Sequence, residues 1–314
     1  MEMANDRAAR PNGFEEFLGQ EDAKRNLKVF VQAAKVRGEC IDHVLLSGPP
    51  GLGKTSMAAV VATEMGTRLV AVHAPSLRKK EDLVSLLLDM EENDVLFVDE
   101  IHSLDLKVEE LLYTVMEDSK LCMVTSAGEA VTIPLPRFTV MAATTRAGDL
   151  SQPLRDRFGE VIQMQFYTVA ELTQVALQAA AKGDLWCTQP AAVAIATRSR
   201  GTPRIANRLL RRARDFAQAS GSAVIDDVTV ITACESMGID SEGLDRTSRA
   251  YLQFLANKGR PVGVSTIASY VSESVATLEE SVEPYLLRMG FIEKLPAGRV
   301  LTPKGSQHAC KIMA

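Results

Sequence analysis

The residues with the most chemistry in their spacing lie between His43 and Glu64. Gly48-Pro49-Pro50-Gly51-Leu52-Gly53-Lys54-Thr55 fits G-x-x-x-x-G-K-[ST], a loop whose backbone N–H groups gather round a polyphosphate. The apolar Val44-Leu45-Leu46 before it reads as a short buried strand, and the alanine-rich segment after it as a helix. Glycines keep side chains out of the cradle, and a helix N-terminus adds partial positive charge at the same point. In that setting Lys54 reaches the β- and γ-phosphates and the Thr55 hydroxyl takes one Mg²⁺ position. An ordinary Gly-Pro loop is the bland alternative; the full motif between strand and helix implies a bound nucleoside triphosphate.

A second set follows. Asp94 to Glu100, DVLFVDE, is an apolar strand that delivers two carboxylates to the C-terminal edge of a parallel sheet. Asp99 would hold Mg²⁺ through water and Glu100 would polarise the water that attacks the γ-phosphate. Asp-Glu at a strand end is often only a turn; the upstream phosphate loop favours the catalytic reading. Phe138–Ala143 reads as another buried strand and ends at Thr144-Thr145-Arg146, where a hydroxyl could stand between the acids and the attacking water. Arg155 and Arg157 follow in SQPLRDRFG. They are either surface charges or an arginine finger offered to a neighbouring subunit's γ-phosphate.

The elements that must position these groups are legible as patterns. Residues 7–20 carry Phe14, Phe17 and Leu18, which are either an apolar strap across the adenine or the packing of a terminal arm. Glu21 to Arg37 has helical periodicity through Leu27, Phe30, Val31 and Ala34, and Gly38 ends it. Arg68–Val72 reads as a strand and Glu81–Met90 as a helix on Leu83, Leu86 and Leu87. Lys120–Leu135 alternates about Ser126-Ala127-Gly128-Glu129, a hairpin signature. After Tyr167 helices take over: Thr168-x-x-Glu171 is a capping box, Pro190 sits at a helix start and Gly201 closes that helix. Thr202-Pro203-Arg204 opens the next, with Ile205, Leu209, Ala213 and Phe216 inward. A cation in a helix's first turn is electrostatically unfavourable, so Arg204 is expected to reach phosphates. Arg208, Arg211, Arg212 and Arg214 read as solvated or subunit-contact charges.

From Leu244 the pattern resembles a winged helix. Leu244–Lys258 and Val264–Val271 are helical, and a longer helix runs from Val275 to Met289 through Pro284. Phe291–Leu295 and Arg299–Thr302 form a two-stranded wing about Pro296-Ala297-Gly298. Glu279, Glu280 and Glu283 would repel a phosphate backbone, so DNA contact is expected through Lys294 and Arg299 in the wing, without base reading. A winged helix used only for protein docking is the alternative.

Composition sets the limits. Over 314 residues the content is 46% hydrophobic and 24% charged, the balance of a soluble globular chain of two or three domains. No stretch approaches a membrane span and the N-terminus has no apolar signal region. Cys40, Cys122, Cys187, Cys234 and Cys310 are dispersed, which points to reduced thiols in a cytoplasmic setting and against a zinc site. The net charge of −5 is uneven: residues 1–167 hold 26 acids against 18 bases, whereas residues 241–314 hold 7 against 9. Overall charge therefore does not exclude a nucleic-acid partner.

FLGQ, HVLLSGPPGLGKT, VDEIH, VMEDS, AATTRAG, PLRDRFG, RSRGTPRIANRLLRR, EPYLLRMGFI and GRVLTP occur in this order over essentially the whole chain. They resemble the blocks of the RuvB-type Holliday-junction branch-migration motors of bacteria, members of the AAA+ class. The resemblance implies an α/β fold: a P-loop parallel sheet with helices on both faces over 1–167, a small all-α lid over 168–240, and a C-terminal winged helix over 241–314. It implies an ATPase using ATP and Mg²⁺, a homohexameric ring on double-stranded DNA at four-way junctions, and a RuvA-like partner on hairpin 121–135. A RuvC-like resolvase is a further implied partner. Carried over by position, Thr55 and Asp99 serve the metal, Lys54 and Glu100 hydrolysis, Thr145 is sensor 1, Arg157 the arginine finger and Arg204 sensor 2. Arg10, Phe17, Leu18, Gly51, Gly53, Ser56, Glu117, Asp118 and Tyr167 match nucleotide contacts, and Lys294 and Arg299 match DNA contacts. Departures from the family lie in the hairpin SAGEAVTIP, which lacks a basic residue, and at Ser103, Leu106, Ser119 and Ala297; they touch partner and DNA grip, not hydrolysis. A clamp-loader-like or initiator-like scaffold, gated by ATP, is the competing function.

Overall fold

The computed structural model describes residues 11–124 and 130–313. Two compact units meet in sequence between Tyr167 and Thr168.

The first unit is built on five parallel strands. β1 (Val44–Ser47), β2 (Leu69–His73), β3 (Val95–Asp99), β6 (Thr139–Thr144) and β7 (Glu160–Gln163) lie in the order β2-β3-β6-β1-β7. Every residue of β1 and β6 is buried, as expected for continuous apolar runs covered on both faces. Helices α1 (Glu21–Arg37), α2 (Lys54–Met65), α3 (Lys80–Leu88), α4 (Leu106–Asp118) and the single turn α5 (Gln152–Arg155) complete the layers. α1 ends where the pattern placed it, with Gly38 in a left-handed conformation taking up the last carbonyls. α3 buries Leu83 and Leu87, while Leu86 is only partly buried. β4 (Lys120–Val124) and β5 (Ala130–Pro134) pair antiparallel from Lys120↔Pro134 to Val124↔Ala130; the expected turn, Ser126 to Glu129, lies outside the described residues, as does Arg10.

The second unit begins with α6 (Val169–Lys182), α7 (Gln189–Arg198), α8 (Pro203–Ala219) and α9 (Asp227–Ser236). The Thr168–Glu171 capping box forms. α7 stops at Arg198 with Ser199 as its cap, so Gly201 belongs to the following turn rather than to the helix end. The inward stripe of α8 is Ala206, Leu209, Leu210, Ala213 and Ala217; Ile205 and Phe216 flank it half-buried. This part is not wholly helical: β8 (Trp186–Cys187) and β9 (Val224–Ile225) form a minimal parallel pair. The winged helix follows as α10 (Arg246–Lys258), α11 (Val264–Val271), α12 (Val275–Thr277), α13 (Glu283–Arg288), β10 (Ile292–Leu295), β11 (Gly298–Leu301) and α14 (Pro303–Met313). Between α12 and α13 the turn widens over Leu278–Val282, just before Pro284, whose ring displaces the carbonyl four residues back. α14 carried no clear sequence signal; its buried contribution is Ala309 in the core around Leu252 and Phe291.

Candidate functional site

Because all five strands run in parallel, their C-terminal ends share one edge, and the sheet order places three of them side by side there. β3 carries the acids, β1 the glycine loop, and β6 lies between, with Ser47 opposite Thr144 and Val98 opposite Ala142. The loop leaves β1 with Gly48 N–H bonded to Thr144 O at 3.1 Å. Gly48, Gly51 and Gly53 all have positive φ, at 137°, 84° and 96°. A Cβ on Gly48 would sit 2.9 Å from Met164 O, and one on Gly53 3.3 Å from the Phe17 ring and 3.8 Å from Tyr167 Oη. The backbone can form this cradle only with glycine.

Gly53 precedes the first residue of α2, so Lys54, Thr55 and Ser56 occupy its first turn. Lys54 is buried, its ammonium held by Gly48 O at 2.7 Å and Pro49 O at 3.0 Å. A buried ammonium resting on the loop's own carbonyls is poised to exchange them for phosphate oxygens. Tyr167 Oη donates to Leu52 O at 3.3 Å. Phe14 and Phe17 are buried, Leu18 is half-buried, and Phe14 N donates to Glu64 at 3.0 Å. Gln20 clamps this arm to the segment after β7 through bonds of 2.6 and 2.9 Å with Gln165. The arm is thus packed on the glycine loop through Phe17.

The acids and the sensor are also brought together. Glu100 adopts a left-handed conformation, φ 56°, a strained geometry that clusters at functional sites. Thr145 Oγ1 donates to Glu100 Oε2 at 3.5 Å. The pattern VDEIH held a further group that sequence reasoning left without a role. His102 Nε2 lies 3.4 Å from Glu100 Oε2, and its Nδ1 hydrogen-bonds Thr144 Oγ1 at 3.0 Å, which in turn accepts from Arg146 N–H at 3.0 Å. The ring ties the carboxylate to the buried end of β6. Only the tight turn Ile101–Ser103 could have signalled this.

Glu117, Asp118 and Arg157 are elsewhere. His43 stands just before β1, at the edge opposite the loop, and bonds Met116 O through Nε2 at 3.2 Å. That fixes the end of α4, with Glu117 and Asp118, at the N-terminal edge of the sheet. Arg157, three residues before β7 begins, is ion-paired with Glu117. Four strand residues rising about 3.3 Å each put roughly 13 Å of sheet between this pair and the glycine loop. The expected nucleotide residues therefore split into two sets on opposite edges.

In the second unit Arg204 is exposed in the first turn of α8. The wing departs from expectation. Glu283 is fully buried, not groove-facing, and is the hub of a cluster. It accepts from Tyr251 Oη at 2.8 Å, from Arg299 Nε at 2.9 Å and Nη2 at 3.2 Å, and from Lys294 Nζ at 2.7 Å. Arg299 also pairs with Glu279 at 2.7 Å and its side chain is only 15% exposed, whereas that of Lys294 is 43% exposed. Both wing cations pair with Glu283; Arg299 is the more deeply committed to the fold and Lys294 the more exposed. Burial alone would raise the Glu283 carboxyl, but the bonds from Arg299, Lys294 and Tyr251 outweigh it and hold it below the ordinary carboxylate value.

A phosphate loop after β1, acids two strands away on β3 and a hydroxyl at the end of β6 between them define a P-loop nucleoside triphosphatase of the AAA+ class. The chain matches the description "Holliday junction DNA helicase RuvB P-loop domain" over residues 9–164, the RuvB AAA lid domain over 167–240 and the RuvB C-terminal winged helix domain over 241–309. It is 46% identical over 308 residues to the Holliday junction branch migration complex subunit RuvB of Campylobacter hominis, covering 97% of this chain and 89% of that one. The Oenococcus oeni protein of the same name is 47% identical over 312 residues, with 98% and 92% covered. The solved Thermotoga maritima RuvB Holliday junction branch migration motor superposes with a TM-score of 0.86 at 42% identity, covering 96% of this chain and 98% of that one. The chain belongs to the RuvB family, and its P-loop domain makes it a nucleotide-binding ATPase in the general sense. Among the described residues no helix is long and apolar enough to cross a membrane.

Proposed function

We propose that this chain is an ATP-driven motor that moves the branch point of Holliday junctions, working as a homohexamer with a RuvA-like junction-binding partner on hairpin 121–135 and a RuvC-like resolvase downstream. Its parts are an ATPase domain over 1–167, a lid over 168–240 and a DNA-contacting winged helix over 241–314. In each site Lys54 binds the β- and γ-phosphates, and Thr55 with Asp99 would hold Mg²⁺, which neutralises phosphate charge. Two such ligands suit an ion that takes most of its oxygens from phosphates and water. Glu100, oriented by Thr145 and His102, takes the proton of the attacking water. Phe17, Leu18 and Tyr167 line the cradle, Gly51, Gly53 and Ser56 supply N–H groups, and Arg204 adds a cation from the lid.

The observation that carries the reading is the split of the site. Arg157, Glu117 and Asp118 lie at the edge of the sheet away from their own glycine loop, so a complete site needs the edge of a second copy. An arginine finger in trans supplies on the order of 10³–10⁵ in rate. Arg157→Ala is therefore expected to abolish turnover while nucleotide still binds, and Glu100→Gln to do the same. Mixed together, the two variants should recover part of the activity, because the Glu100→Gln subunit brings an intact Arg157 to its neighbour's intact Glu100. Mixtures no more active than either parent would reject a shared site. A strand-exchange assay on a synthetic four-way junction then separates a motor from an ATP-gated scaffold, which hydrolyses without moving the branch point.

A further inference from the structure

The turn at residues 199–202 joins α7 to α8, and the opening segment of the winged helix is fastened to it. Arg200, a non-glycine residue at φ 51°, turns its guanidinium into the segment that opens the winged helix. Nε donates to Gly243 O at 2.6 Å; Nη2 donates to Ser248 Oγ at 3.3 Å and pairs with Asp245 at 3.0 Å. The same guanidinium lies 5.5 Å from the Tyr285 ring centroid, and Tyr285 Oη donates to Glu242 O at 2.7 Å. Its side chain is only 11% exposed. One backbone approaches another here, since a Cβ on Gly243 would fall 2.5 Å from Arg198 O, while the Arg288 guanidinium packs over Gly201. A second fastening, His308 to Asp240 at 3.1 Å, lies where the lid runs into the winged helix.

On the other side, the turn is rigidly continuous with α8. Thr202 bonds Ser199 O through both its N–H, at 2.9 Å, and its hydroxyl, at 3.2 Å. Pro203 then sets the first turn of α8, which carries Arg204. The guanidinium proposed to sense phosphate, Arg204, lies four positions after the one that grips the winged helix.

We propose that Arg200 is the coupling residue of the motor, a positioning group that makes the lid and the winged helix one lever, so that a displacement of α8 is delivered to the wing. The inference rests on the motor reading above. A strained left-handed residue persists where its surroundings over-determine it, and a planar fork shared among a carbonyl, a hydroxyl, a carboxylate and an aromatic face is not reproduced by lysine.

The test uses the full-length chain with Arg200→Lys, which keeps the charge and the backbone conformation, and with Asp245→Asn, which keeps the α10 cap but removes the ion pair. Melting temperature, DNA-stimulated ATP turnover and junctions moved per ATP are measured on a four-way junction with the RuvA-like partner. Turnover is expected to stay near that of the unmodified chain, while junctions moved per ATP fall about tenfold for Arg200→Lys, the scale of a typical coupling energy, and less for Asp245→Asn. A folded Arg200→Lys protein that moves as many junctions per ATP as the unmodified chain overturns the inference. So does a fall in turnover that fully accounts for the lost movement. If Arg200→Lys does not fold, Asp245→Asn is judged by the same two criteria. An unmodified chain that hydrolyses ATP and moves no junction fails the motor reading itself, a different result from either.

Discussion

Replacing Glu283 by glutamine should make the protein less stable and yet a tighter DNA binder. The carboxylate is fully buried and takes four hydrogen bonds, two on each oxygen: Tyr251 and Arg299 Nε on Oε1, Arg299 Nη2 and Lys294 on Oε2. An amide keeps one acceptor and turns an NH₂ group toward two donors. Each lost charge-assisted bond is worth about 1.5–3 kcal/mol. The Lys294 share is discounted because that ammonium is 43% exposed and can rehydrate, whereas Arg299, at 15%, retains only Glu279 as an anionic partner. The sum is about 3 kcal/mol, at the lower end of what breaking a buried ion pair costs. For a unit of this size that lowers the unfolding temperature by roughly 10 °C, read by calorimetry on the transition that contains the winged helix. The freed Lys294 gains a phosphate to bind, so the slope of log K against log salt should steepen by about 0.9. Unchanged stability, or a DNA affinity that falls along with it, would refute the assignment of Glu283 as the anion that holds the wing. The acid limit has the same origin. The folded-state value lies below the ordinary 4.5, so this stabilisation is complete above about pH 4.5 and is lost as pH falls through the lowered value.

Three further outcomes follow from single contacts. Val140 N–H donates to His43 Nδ1 at 2.9 Å, and burial lowers the ring's pKa against the opposing pull of Met116 O and Asp42. The first unit should therefore hold its stability above about pH 6.5 and lose it on acidification through the lowered folded value, and His43→Gln should flatten that profile in equilibrium unfolding. His102→Ala releases Glu100 from the end of β6 and should lower kcat about ten- to a hundredfold with nucleotide affinity kept, checked by single-turnover kinetics beside a binding titration. Gly243→Ala forces a Cβ 2.5 Å from a backbone oxygen at φ 78° and should cost about 2–3 kcal/mol, seen as a drop in melting temperature at unchanged ATP turnover.

The sequence by itself determined the local chemistry. The glycine loop between strand and helix, the acids closing an apolar run, the Thr168–Glu171 cap and the alternating wing strands are all set by neighbours within a few residues, where periodicity and capping rules act. Even the clustering of Lys54, Glu100 and Thr145 on one edge could be anticipated, since each follows the C-terminal end of a strand of a parallel sheet, Lys54 through the glycine loop and the other two directly. Tertiary structure decided the rest, because it depends on which strands are neighbours and on what faces a buried group. That Arg157 and Glu117 sit across the sheet from the glycine loop follows from the bond between His43 and Met116, 73 residues apart. That Glu283 is a buried hub rather than a surface repellent follows from Tyr251 and Arg299, 32 and 16 residues away. Arg200 reads as one more surface cation until Gly243 and Tyr285 close over it. A charged side chain's role is set by the solvent and partners it is left with after folding, and no linear spacing encodes that.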